Sequence, residues 1–232
     1  MIREELRAQG QRTREQFMRA AAEEICLRGY DGASLADIAR RVGKPKAALR
    51  HHYPTKADFA RDILEYQYAR WAQVHDAVLA KGLTGVRLMY TLVATATSVA
   101  GEAPYARASV IIELHSHSLD FDLPAARFDW YEELTEIARQ AQRDGEIRAG
   151  IEPQLTATML LDAAFGVYLR EPDLNGEAMT RRLRPTWEAA LWMMGVPDPP
   201  RYLETISPAD IPPPAPLPER PSIPSSVLPT ND

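Results

Sequence analysis

Lys46, Arg50 and His51 fall on one side of the short segment PKAALRHHY, with Ala47 beside them, while Ala48 and Leu49 fall on the other. Two cations, an imidazole and a small residue on one free helical face suit DNA reading. A guanidinium can bind a guanine edge or a phosphate, and an alanine allows close approach to the groove. No reaction chemistry accompanies this set. The chain shows no nucleophile beside a base, no glycine-rich phosphate loop and no carboxylate pair at helical spacing, so an enzyme is not expected.

These side chains need two helices and a tight turn to hold them. Ser34 is placed to cap a short helix whose inward residues are Leu35, Ile38 and Ala39, and Val42-Gly43 closes it. Pro45 disfavours helix at Lys44 and suits the first position of a new helix, which is predicted to run through Tyr53. Upstream, Thr13-x-x-Gln16 reads as a capping box. It opens a first helix with Phe17, Ala21 and Ile25 on one face, stopped by Arg28-Gly29-Tyr30. Helix, turn and second helix at this spacing form a DNA-binding motif.

With those pieces assembled, residues 12–64 resemble the DNA-binding head of the tetracycline-repressor (TetR) family. The matching residues are Thr13-Arg14, Arg28-Gly29-Tyr30, Ser34-Leu35-Ala36-Asp37-Ile38-Ala39, and Leu49, His52, Pro54 and Lys56. The resemblance implies DNA contact by Thr13, Arg14, Ser34, Lys44, His52 and Lys56 beside Lys46, Ala47, Arg50 and His51, with Lys56 touching a phosphate. It also implies that the helix after Pro54 opens a ligand-binding body. The family usually carries Gly at position 47 and Tyr at position 50, where this chain has Ala47 and Arg50. The operator preference is therefore expected to differ.

Charge distribution agrees with a DNA-facing head. The chain of 232 residues carries a net charge of -5, yet residues 1–56 hold a balance of +5 and residues 57–232 a balance of -10. An acidic body turns a basic head toward phosphate and makes binding strongly salt-dependent. No apolar run approaches the roughly 18–20 residues that span a bilayer, so no membrane partner is expected. The N-terminus lacks the apolar core of a secretion signal, which predicts a cytoplasmic protein. The single cysteine, Cys26, excludes an internal disulfide and is read as a packed side chain, with redox sensing the lesser alternative. His115 and His117, two apart on a helix, diverge, so with Glu113 they are not read as a metal site; neither metal nor cofactor is expected.

Strand signals are essentially absent, and the pattern predicts an all-α chain of about nine or ten helices. A long helix capped at Thr55-x-x-Asp58 runs to about Ala80 and joins head to body. A buried helix spans 83–100, others run over 104–118, 126–143 and 153–169, and a last one over 176–194 contains Pro185. Twelve of the 19 prolines lie in 197–229. The predicted domains are a head at 1–56, a helical ligand-binding and dimerisation body at 57–195, and an unstructured proline-rich tail at 196–232.

In the body, Trp130, Leu134 and Ile137 form a stripe. Leu88, Thr91, Thr95, Val110, Leu114, Phe165 and Tyr168 are the other predicted lining of an apolar chamber for a small-molecule effector. Ordinary core is the alternative reading of each residue. Asp162, in an apolar helix, needs a partner. The segments MLLDAAFGVYL and LRPTWEAALWMM carry more apolar surface than one body buries, and in TetR-like proteins the corresponding helices pair with a twin. Phe165, Trp187, Leu191 and Trp192 are the expected dimer contacts, and a homodimer would read a palindromic operator.

Tyr68-Ala69-Arg70-Trp71, Phe128-Asp129-Trp130 and Asp144-Gly145-Glu146-Ile147-Arg148 resemble the γ-butyrolactone autoregulator receptor branch. That branch implies a repressor released from DNA by a butyrolactone or related signal, with a tryptophan at the ligand. The alternatives are a receptor-like regulator answering to an antibiotic or intermediate, and a small-molecule carrier with a vestigial head.

Overall fold

The computed structural model describes residues 2–100, 104–171, 174 and 176–213. Those residues form ten α-helices, one 3-10 turn and no strand. In chain order they are α1 (Ile2–Gly32), α2 (Leu35–Val42), α3 (Lys46–His52), α4 (Lys56–Leu79), α5 (Gly85–Ala100), α6 (Tyr105–Leu114), α7 (Trp130–Arg143), α8 (Pro153–Arg170), α9 (Gly176–Met194) and α10 (Pro199–Glu204). The described residues cluster in two compact units, 2–67 with 104–125 and 68–100 with 126–213.

In the first unit α1 packs on α2 and α6, and α2 packs on α3. Phe17, Met18, Ile25, Ile38, Leu49, Tyr53, Phe59, Ile63, Leu64 and Ile112 are among its fully buried apolar side chains. Gly29 breaks α1 in the left-handed region (φ 75°, ψ 170°), which a residue with a Cβ rarely adopts. Gly43 (φ 68°) closes α2 in the same way, while Lys44 N donates to Ala39 O at 3.1 Å.

The start of α1 differs from the expected one. The helix begins at Ile2, and the Thr13 hydroxyl accepts from Lys44 Nζ at 3.2 Å instead of capping. Residues 2–12 are mostly good helix formers, so the chain stays helical through a position where capping chemistry alone predicted a start. Likewise α6 ends at Leu114 and is followed by the short turn Ser116–Ser118, and α7 begins at Trp130, where the Asp129 carboxylate accepts from Glu132 N at 2.9 Å.

The domain boundaries also move. The compact units divide inside α4, at 67/68, and residues 104–125 join the head. Packing explains this: Tyr105 meets Tyr66 edge-on with centroids 4.8 Å apart, and Cys26 Sγ donates to Pro104 O at 3.5 Å. Burial pushes the Cys26 thiol up to about 11, so at neutral pH it remains a protonated, packed side chain.

In the second unit α5 is buried nearly all round and packs on α7, α8 and α9, with α7 on α8, α8 on α9 and α10 on α9. Helix α9 continues through the exposed Pro185. Residues 196–213, expected in an unstructured tail, are instead part of this unit. Val196, Leu203 and Ala209 are buried and Ile206 and Ile211 pack against the core. The Arg87 guanidinium donates to Thr205 O and Oγ1 at 3.2 and 3.0 Å. Apolar residues spaced among the prolines give this stretch a face to bury, which its overall composition conceals. Residues 214–232, the remainder of the expected tail, lie outside the described residues.

Candidate nucleic-acid interface and effector site

Ser34 has the predicted role: its hydroxyl accepts from Asp37 N at 3.1 Å and donates to the Asp37 carboxylate at 2.7 Å. Capping that first turn fixes α2, and the Gly43 turn then sets the direction of α3. On α3, Lys46, Ala47 and His51 are exposed, Arg50 is half-buried and Leu49 is buried. Ala48, expected to face inward, is half-buried as Arg50 is, so the two faces are less sharply divided than expected. Lys44, half-buried, is steadied by Thr13. His52 is half-buried and packs on the Phe17 ring at 6.0 Å; burial, then the neighbouring cations, lower its pKa below the ordinary histidine value. Lys56 Nζ donates to Tyr30 O at 2.8 Å and to Asp31 O at 3.4 Å, at the end of α1, and sits 4.2 Å from the centroid of the Tyr30 ring.

Arg14 departs from its expected place. It is 5% exposed and forms an ion pair with Asp62, itself 3% exposed, so its guanidinium is turned away from any DNA face. Arg14 Nε also donates to the Tyr53 hydroxyl at 3.3 Å, and that hydroxyl donates to Asp62 Oδ2 at 2.9 Å. Burial works against the Arg14 charge, but Asp62 and Tyr53 outweigh it and its pKa is raised. Burial, then the charge of Asp62, pushes the Tyr53 phenol upward. A second internal link was also missed: the Arg41 guanidinium donates twice to Glu24 Oε1, at 2.9 and 2.7 Å. Both acids lie within apolar stripes, Asp62 between Phe59 and Ile63 and Glu24 beside Ala21 and Ile25, a signal that marks a buried charge needing a partner.

In the second unit Trp130 is half-buried and joins an aromatic cluster. Its ring meets Trp71 edge-on at 5.9 Å and Phe128 at 5.0 Å, and Phe128 stacks on His75 at 4.5 Å. The His75 Nε2 atom is 3.0 Å from Glu133 Oε1. The Arg127 guanidinium donates to both oxygens of Asp76 at 2.6 Å. Apolar rings with one imidazole–carboxylate pair can hold a small, largely apolar molecule and orient one polar group on it. His75 was missed, although it stands one turn beyond Trp71 on α4.

The other predicted lining residues divide. Leu88, Thr91 and Leu134 are buried in the second unit, and Phe165 and Tyr168 pack partly buried against its core. Thr95 is fully buried and already engaged, donating to Thr91 O at 2.6 Å and accepting from Ala209 N at 2.9 Å. Tyr168 donates to Ala100 O at 2.6 Å. Val110 and Leu114 belong to the first unit, and Leu114 is 63% exposed. The α6 chain ends in the head because α6 packs on α1.

The expected dimer residues divide too. Trp192 is exposed and Phe165 half-buried, whereas Trp187 and Leu191 are buried within the second unit's own core. The two buried residues are thus withdrawn from the surface by helical period. Asp162 has its partner in the Tyr131 hydroxyl, 2.7 Å away. Among the described residues no group of three metal-ligating side chains is gathered, and no helix is long and apolar enough to cross a membrane.

A capped helix, a glycine turn and a second short helix form a helix-turn-helix, and a helical second unit follows in the chain. Residues 17–63 match the model of the bacterial regulatory proteins, tetR family, so this stretch is a TetR-family N-terminal domain, and the all-helical fold is TetR-like. It is similar to the HTH-type transcriptional regulator UidR of Escherichia coli K12, 24% identical over 182 residues, 76% of this chain and 88% of that one. Among solved structures it is similar to CprB of Streptomyces coelicolor in complex with its operator, with 25% identity, a TM-score of 0.68, and 84% and 94% of the two chains covered. AibR in complex with isovaleryl coenzyme A and operator DNA is 25% identical with a TM-score of 0.59, covering 79% of this chain and 98% of that one. A γ-butyrolactone receptor, ArpA-like, shares the fold at 24% identity and a TM-score of 0.70, with 84% and 95% covered.

Proposed function

We propose that this protein is a cytoplasmic homodimeric repressor, without catalytic activity, that binds a palindromic operator and leaves it when a small, largely apolar effector binds. The face of α3 that carries the exposed Lys46, Ala47 and His51 and the half-buried Arg50, held by the capped α2 turn, carries the DNA reading. Two such faces related by a two-fold axis would meet half-sites about one helical turn, roughly 34 Å, apart. The exposed Trp192 on α9 and Leu155 on the adjacent α8 are the apolar groups that support pairing between copies.

Arg50→Ala and Lys46→Ala are expected to weaken binding to a duplex selected from a random pool. Each lost base-reading contact costs about 1–3 kcal/mol. Neither side chain belongs to the core, so the circular-dichroism melting curve should stay near that of the parent. A gel-shift titration checks both. Undiminished affinity in both variants would remove α3 from the interface.

The effector reading rests on the rings around Trp130 and on the His75–Glu133 pair. A γ-butyrolactone or a related carbonyl compound offers the required apolar tail and one acceptor. The polar pair also accommodates a short acyl compound, and AibR, a structural neighbour, is described with isovaleryl coenzyme A. Effector and DNA then oppose one another reciprocally, each lowering affinity for the other by the same factor.

Trp130→Ala is expected to keep DNA binding yet resist release, since truncating an aromatic anchor removes about 2 kcal/mol or more of binding energy. Titration of operator complexes with a panel of butyrolactones and acyl thioesters checks this. Release of the mutant at the parent's ligand concentration would move the site away from the α7 ring cluster.

A further inference from the structure

The reading helix α3 ends on a buried polar junction that does not touch the proposed DNA face. Tyr53 caps α3, its N–H donating to Leu49 O at 2.8 Å, and its fully buried ring stacks on Phe59 of α4 at 3.8 Å with an interplanar angle of 18°. Stacking fixes how deeply that end of the helix sits. It leaves the ring free to slide and turn in its own plane, because dispersion between parallel rings is weakly directional. The hydroxyl removes this freedom. It donates to Asp62 Oδ2 at 2.9 Å while receiving Arg14 Nε at 3.3 Å, and the Arg14 guanidinium pairs with the same carboxylate. Three helices, α1, α3 and α4, therefore meet at one charged group.

We propose that Asp62 is a positioning residue for DNA recognition, orienting α3 through the Tyr53 hydroxyl while anchored to α1 through Arg14. The proposal rests on the DNA-binding reading of α3. A buried ion pair is a poor way to gain stability, because both charges are stripped of water and apolar residues of equal volume would serve as well. Its distinctive property is direction. Base recognition needs side chains held to about 0.5 Å and 10–20°, and a charge-assisted hydrogen bond in a water-free site supplies that restraint where ring packing does not. Burial of Arg14, Tyr53 and Asp62, at 5%, 0% and 3% exposure, excludes the water that would weaken it.

Tyr53→Phe separates positioning from folding, since the ring, its stack on Phe59 and the Arg14–Asp62 pair all remain. Affinity for a duplex selected from a random pool by the parent protein, and for a scrambled duplex of equal length, is measured at several salt concentrations beside the melting temperature. The expected result is a melting temperature near the parent's, an unchanged salt slope because the phosphate contacts persist, and a fall of about ten-fold in the selected-to-scrambled affinity ratio. Asp62→Asn should lower that ratio further, and Asp62→Glu should recover part of it. An unchanged ratio in Tyr53→Phe overturns the proposal. So does a loss of affinity that is equal on both duplexes and tracks the melting temperature, which would make the hydroxyl purely structural. If the parent itself selects no duplex and binds none in a salt-dependent way, the DNA reading fails first, and the positioning role with it.

Discussion

Asp62→Ala is expected to lower folding stability by about 3–5 kcal/mol, the cost of leaving a buried charge without its partner. Arg14 is 5% exposed and cannot turn to solvent without moving α1, and the Tyr53 hydroxyl loses its acceptor in the same step. The urea midpoint of the full chain, followed by circular dichroism, measures the loss. Replacing Arg14 and Asp62 together by Met and Leu should recover most of it, because apolar side chains of similar volume carry no desolvation cost. A midpoint unchanged by Asp62→Ala would show that the carboxylate is solvated in solution and that the junction does not hold the head together.

A comparable effect is expected at Trp187. Its side chain is 2% exposed, meets Tyr90 edge-on at 6.0 Å, and its backbone oxygen accepts from the Tyr90 hydroxyl at 3.1 Å. Trp187→Ala should cost about 3–5 kcal/mol, the usual penalty for emptying a large aromatic site in a core. Trp192→Asp, five residues on, should behave in the opposite way. Trp192 is 59% exposed, so its replacement should leave folding nearly unchanged while reducing the mass observed by sedimentation at micromolar concentration. Denaturation and sedimentation of both variants distinguish core from pairing surface. Equal loss of assembly in the two, with folding intact, would return Trp187 to an interface.

These contrasts mark how far the chain could be read before its structure. The helix-turn-helix was legible because its signals are local. Ser34 caps its own helix, Gly43 supplies its own left-handed turn, and Pro45 starts the next helix through a constraint on its neighbour. The burial of Leu49 and the exposure of Lys46, Ala47 and His51 on α3 followed from helical period alone. The break at Gly29 was equally local. The start of α1 was not, because Thr13 has a capping side chain but its hydroxyl meets Lys44, 31 residues away.

The body was legible as helices but less so as a site. Trp130 stood out as an indole at the head of an apolar stripe, yet Trp71, which meets it, and His75, which stacks on the adjoining Phe128, come from α4, far away in the chain. Prolines between 197 and 213 suggested an unstructured tail, whereas Leu203, Ile206 and Ile211 find a core to rest on. Composition states what a segment carries and not what surface awaits it.

The sequence by itself therefore determined the helical class and the helix-turn-helix with its buried Leu49, because these depend on period, capping and backbone conformation within a few residues. Only the tertiary structure decided that Arg14 is an internal tie, that Trp187 and Leu191 lie within the body's core while Trp192 faces out, and that residues 196–213 belong to the body. The physical reason is the same in each case. An arginine, a tryptophan or an isoleucine is assigned its role by the partner and the water it meets, and those are set by segments far away in the chain.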